Sequence, residues 1–196
     1  MTFNDLFTTL LGSIGAHQWF GRDGKWTLGR LEAPATSAAT FGRASVFDPL
    51  RELAPAPQVH KVRLGWGRNW RPMSDAEIAP AVSAANRVIL AADWQWAEDS
   101  EADVLDEDPD AEELVIQTAL TDSADAVAEA SRLLTLHGAA RRLLPVTVAS
   151  QPLASNLLDT ATITLPRLGL DDGFDGVIVA LDEAGGSNRV AVVLWG

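Results

Sequence analysis

The chain contains no cysteine, which excludes a disulfide framework and any thiolate-ligated metal centre. Basic residues are scarce. Fifteen Lys and Arg stand against 27 Asp and Glu, for a formal charge of −12. Phosphate recognition needs a Lys/Arg surface, so stable nucleic-acid binding is not expected. Adsorption to an anionic membrane is disfavoured for the same reason. No apolar run is long enough to span a bilayer. The opening Met1-Thr-Phe-Asn-Asp lacks the basic stretch of a signal peptide, so synthesis in the cytoplasm and no membrane insertion are expected. What is abundant is apolar residue: 47% over 196 residues. That suffices for a buried core in one large domain or two small ones.

Phe3, Leu6, Phe7, Leu10, Leu11 and Ile14 recur at helical spacing and form one apolar stripe, ended by Gly12 or Gly15. Residues 16–31 read as a β-hairpin turning at Gly21-Arg-Asp-Gly24, with Trp19 and Trp26 on the same sheet. Residues 33–57, rich in Ala, Pro, Ser and Thr, read as a connection with one short element near Val46. Residues 58–70 alternate: His60, Val62, Leu64 and Trp66 on one face, Lys61, Arg63 and Gly65 on the other. A helix is expected over 80–96, and a second from Asp122 or Ser123 to His137, closed by Gly138. Between them lies 98–113, in which ten of sixteen residues are acidic. Self-repulsion predicts an open, solvated, mobile loop there, with Asp106, Glu107, Asp108 and Asp110 exposed.

The C-terminal stretch carries the most information. Ala161, Ile163 and Leu165 alternate with Thr160, Thr162 and Thr164, and Val177, Val179 and Leu181 define a further face. Gly185-Gly-Ser-Asn188 supplies turn chemistry before Arg189–Trp195, so 177–182 is expected to pair with 189–195. Asp171–Gly176 reads as a turn. The fold class is α+β, with an antiparallel, barrel-like β core and three to four helices. The organisation expected is an N-terminal region, 1–57, and a mixed helix and sheet region, 58–196.

Catalytic signatures do not emerge. His17, His60 and His137 form no spacing motif. Gly65-Trp-Gly-Arg-Asn-Trp70 lacks the Gly-Lys-Ser/Thr of a phosphate loop. Asp171–Asp182 imitates a calcium loop, but its third place is Gly. No catalytic residue, no metal ligand and no cofactor is assigned. The large rings of Trp19, Trp26, Trp66 and Trp195 are expected to fill core or interface.

Several of these segments, taken in order, resemble a known family. Ile14–Leu31 is similar to the phenylalanine–aspartate–arginine–x–glycine hairpin of tailed-phage tail-tip and baseplate hub proteins. Val62–Trp70 resembles the strand that follows it, Ala124–Leu134 their alanine-rich helix, and Leu158–Leu170 with the terminal Leu-Trp-Gly196 their last sheet. The resemblance covers most of the chain and extends to related prophage and gene-transfer particles. It implies a structural virion protein that is not an enzyme, joined to other tail proteins in a ring, threefold or alternatively sixfold. It would connect the tail tube to receptor-binding or puncturing parts. The hubs of that family are usually longer than this chain, which resembles only their later portion or a reduced independent version of them. A carbohydrate-binding or host-recognition module of the same particle is the second reading, and a cell-wall hydrolase the third.

Overall fold

The computed structural model describes residues 3–47, 55, 57–149, 154–184, 186 and 188–196. The chain forms two units and passes between them three times. One unit holds residues 1–16 and 58–139, the other 17–57 and 140–196.

The first unit is a three-stranded sheet with helices. Helix α1, Phe3–Gly12, leads in; the central strand β5 is Val59–Trp66, flanked by β6, Gln95–Ser100, and β7, Glu112–Gln117. β5 runs antiparallel to β6 and parallel to β7. Between β5 and β6 lies α2, Ala84–Ala91; between β6 and β7 lies α3, Asp103–Glu107; α4, Ser123–Gly138, follows β7. The alternation in 58–66 is realised: Val62 and Leu64 are fully buried, against Ala126, Ala130, Leu133 and Leu134 of α4. The Asp122 side chain caps α4, accepting from the Ala124 and Asp125 amides. Past α1, the Ser13 hydroxyl accepts from the Ala119 amide at 2.7 Å.

The second unit contains a hairpin and a curled sheet. The hairpin is β1, Ala16–Phe20, with β2, Trp26–Arg30. The sheet uses β3, Ala39–Phe41; β4, Val46–Phe47; β8, Leu143–Ala149; β9, Thr160–Leu165; β10, Leu170–Ala184; and β11, Arg189–Trp195. Its strand order is β3-β9-β10-β11-β8-β4. The two edge strands are therefore neighbours in the chain. The Gly42 carbonyl accepts from the amides of Ser45 and Val46, at 2.9 and 3.2 Å, so the link between them is a tight turn. A flat six-stranded sheet would place its edges about 24 Å apart, whereas five residue steps reach at most about 18 Å. The sheet must therefore curl, bringing its two edges within reach of that turn. Leu144, Val148, Ile163, Leu170, Ile178 and Leu194 fill the interior, each fully buried. The α+β class and the barrel-like core expected from the sequence are both present.

Four expectations need correction. The helix expected over 80–96 is confined to 84–91, because Ser83 caps it and the chain leaves helical geometry at Ala92; 95–100 is strand. Its apolar face is uncovered, with Val88 and Ile89 exposed. Asp171–Gly176 is not a turn but part of β10; the turn precedes it, where Leu168 and Gly169 take positive φ. Val177, Val179 and Leu181 do not share one face. The register shifts between Ile178 and Ala180, so Leu181 packs on the interior with Ile178. Finally, 98–113 is ordered as the end of β6, helix α3 and the start of β7. Buried Val104 pins α3 against the repulsion among its carboxylates. Of the short element expected over 46–53, β4 is present, and 48–53 lies outside the described residues.

Candidate functional site

The first unit presents a face that the sequence analysis did not single out. β5 turns Lys61, Arg63 and Gly65 away from α4. Opposite Gly65 in register is Trp96. A Cβ on Gly65 would lie 3.3 Å from the Trp96 ring and 3.4 Å from the Trp94 ring. The missing side chain is therefore what lets both indoles lie on the sheet. Arg63 stacks on Trp96 at 4.8 Å. Arg68 lies between two indoles, 3.9 Å from the centre of Trp70 and 5.3 Å from that of Trp94. Trp70 is 76% exposed.

Charge on this face is asymmetric along β5. Toward its start, Glu98 accepts from Lys61 at 2.9 Å and from Arg63 at 2.7 Å. Those two contacts, Lys61 first, hold the Glu98 carboxyl below the usual range. Glu113 adds a contact to Arg63 at 3.5 Å. At the far end, Arg68 and Arg71 are exposed and form no ion pair with a described residue.

Beyond the start of β5 sits the acidic segment. Its flanks are fixed by backbone bonds, the Glu101 amide to His60 and the Glu112 amide to Gln58, each 2.9 Å. Asp106, Glu107 and Asp110 are exposed and Asp108 is half-buried. Only Val104 of this segment is buried.

The four tryptophans expected in core or interface divide. Trp195 is buried at 6% exposure, and Arg141 stacks on it at 4.8 Å. Burial pushes the Arg141 guanidinium down from its ordinary pKa. Trp66 is half-buried on the α4 side of β5. Trp19 is half-buried beside Gly29, where a Cβ would come within 2.6 Å of its ring. Trp26 is 51% exposed, and Phe20 of the same hairpin is 77% exposed. An open groove of about 690 Å³ lies against this hairpin, lined by Trp19, Arg22, Asp23, Asn156 and Asp159 among others. Trp70, Trp94 and Trp96 were missed. The available signal was the Trp94-Gln-Trp96 spacing, which puts both rings on one side of a strand.

Among the described residues no cluster of three or more His, Asp or Glu is placed to hold a metal ion. The stretch 171–182 that imitates a calcium loop lies along β10, in a strand paired with β9 and β11 and not in a loop between helices. No described helix is long and apolar enough to cross a membrane.

No protein-family model matches the chain, and no curated protein matches it in sequence. Solved structures do match in fold. A chain from the virion of a native gene transfer agent particle superposes with a TM-score of 0.62 at 15% identity, over 100% of this chain and 40% of that one. The likeness is one of fold. A prophage tail protein of Listeria monocytogenes EGD-e matches at 0.53 and 13% identity, over 100% of this chain and 52% of its own. A tail protein of Neisseria meningitidis MC58 matches at 0.52 and 10%, over 94% and 52%. This chain spans about half the length of those three chains or less.

Proposed function

We propose that the chain is a structural component of a phage-type tail, sited at the tail tip or baseplate hub. There it joins the tube to the receptor-binding or puncturing parts. The observation that carries this reading is a fold match over the whole chain to a protein of an assembled virion. In this reading the chain has no catalytic activity. It works by shape, as one copy in a ring at the end of the tail, threefold or alternatively sixfold. Uncovered apolar side chains support it: Phe20, Trp26, Leu28, Val88 and Ile89 are all at least half exposed, and subunit contacts would give them somewhere to bury. The acidic balance suits a lumen past which nucleic acid slides without sticking.

Reconstruction of the particle tests the proposal. Density for this chain in a ring at the distal end of the tube is the expected result. Density along the tube or in the capsid would overturn it. A second reading, recognition of a surface carbohydrate, is favoured by Trp70, Trp94 and Trp96 gathered on one face, since indoles stack on sugar rings. Quenching of tryptophan fluorescence by host glycans would support that reading instead.

A further inference from the structure

The three-stranded sheet of the first unit has two unlike ends. At the C-terminal end of β5 the aromatic and basic residues converge. Trp66 pairs with Gln95 and the Asn69 amide donates to Asp93 at 2.9 Å. These bonds bring Arg68, Trp70 and Trp94 together. At the N-terminal end of β5 the acidic segment is anchored through His60 and Gln58. Seven residue steps of β5 separate the two ends, roughly 23 Å of strand. That is more than twice the screening length in physiological salt, about 8 Å. One copy's carboxylates are therefore out of reach of its own Arg68.

Each end also has unspent bonding capacity. Arg68 is held at 3.9 Å from Trp70 and 5.3 Å from Trp94. The guanidinium is exposed and forms no ion pair with a described residue, which leaves N–H donors available. A planar fork of this kind takes a carboxylate bidentately, with little further loss of side-chain freedom. Opposite it in character are Asp103, Asp106, Glu107 and Asp110, none of which forms an ion pair with a described residue. They are exposed on a short ordered element, not on a loose chain, and so form a surface of fixed shape.

We infer that these ends are the two halves of one interface. The Arg68–Trp70 end of one copy receives the acidic segment, residues 101–110, of a second copy. In a ring the contact is head-to-tail, each copy offering one patch to each neighbour, and it closes when the rotation between copies closes; the same two patches meeting reciprocally about a twofold axis would stop at a dimer. The inference rests on the ring proposed above and names the surfaces that build it. It also accounts for the −12 charge of the chain. Much of the excess is concentrated on one side of a contact whose basic side is small and aromatic.

The test uses the full chain and three variants: Arg68→Glu with Arg71→Glu, Asp103→Lys with Asp106→Lys and Glu107→Lys, and all five together. Circular dichroism and melting temperature confirm that each is folded, since all five positions are exposed. Sedimentation velocity over a concentration series then reads self-association. The wild type should associate, less so at high salt. Each charge reversal alone should weaken association by roughly tenfold or more, because like charges then meet. The five-fold variant, with both signs exchanged, should recover it. Trp70→Ala should weaken association by releasing Arg68 from its stack. Association untouched by either reversal, or not recovered in the five-fold variant, would overturn the inference while leaving the ring standing. A wild type that stays monomeric at every concentration, alone and with the other tail proteins, would overturn both. Binding of a glycan that Trp70→Ala abolishes, in a chain that does not self-associate, would reassign the face to carbohydrate recognition.

Discussion

Arg142 and Gly196 exchange two backbone hydrogen bonds: the Arg142 amide donates to the Gly196 carbonyl at 2.6 Å, and the Gly196 amide donates back at 3.2 Å. The pair extends the β8–β11 ladder past Trp195, which lies opposite Leu143. The last residue of the sequence is thereby a working member of the curled sheet.

Trp195→Ala should be strongly destabilising. The ring is buried and carries the stacked Arg141. Truncating a buried aromatic costs ~3–5 kcal/mol, which chemical denaturation will read directly. Gly196→Ala should also destabilise, because a Cβ there would collide with the Asp175 carbonyl and crowd Phe174. Overpacking of this kind costs about 1–3 kcal/mol. A wild-type denaturation midpoint in either variant would refute the role of this strand.

Gly29→Ala should disturb the hairpin. The new methyl would sit 2.6 Å from both the Trp19 ring and the Leu158 side chain. An indole cannot yield as a flexible side chain does, so the ring must rotate out of its place. A red-shifted tryptophan emission together with a lowered melting temperature is expected. Unchanged spectra would show that the hairpin tolerates the displacement.

Glu98 predicts a pH dependence. Its carboxyl is held below the usual range by Lys61 first and Arg63 second. A carboxylate whose pKa is lowered by folding contributes stability above its unfolded pKa. That contribution fades as pH falls through the lower, folded value. Glu98→Gln should therefore melt earlier than wild type near neutral pH, and the gap should close on acidification below the ordinary carboxylate range. Glu98 is exposed, so the effect is small and salt-sensitive. A gap that persists at low pH would assign the effect to something other than charge.

The acidic segment separates shape from charge. Val104 is its buried anchor, and removing a buried Val side chain from its site costs roughly 1.5–3 kcal/mol. Val104→Asp should cost at least that and disorder α3. Asp106→Asn and Asp110→Asn, both exposed, should fall within about 0.5 kcal/mol of wild type. Limited proteolysis reads the difference: cleavage within 101–110 should rise in Val104→Asp and stay at the wild-type level in the two amides. A Gly/Ser replacement of 101–110 would remove the Val104 anchor as well and should lower stability.

The sequence by itself determined the local elements. Period-two alternation marked β5 and β9, and the Asp122–Gly138 cap and stop marked α4, because these signals act within a few residues. The pairing of 177–182 with 189–195 was legible for the same reason: a short turn leaves adjacent strands little choice of partner. The extent of α2 was not legible. Its apolar spacing continues past Ala91, and only strand pairing of Gln95–Ser100 with β5 took those residues out of the helix. The acidic segment was misread because repulsion among its carboxylates is visible in sequence, while the single valine that outweighs it is recognised only once it has a core to enter. Tertiary structure alone decided the interleaving of two units, the pairing of β3 with β9 and of β4 with β8 in the curled sheet, and the approach of Arg68 to Trp94. Each depends on residues distant in sequence becoming neighbours, and packing and hydrogen-bond closure over the whole fold settle such contacts, not the preferences of any one segment.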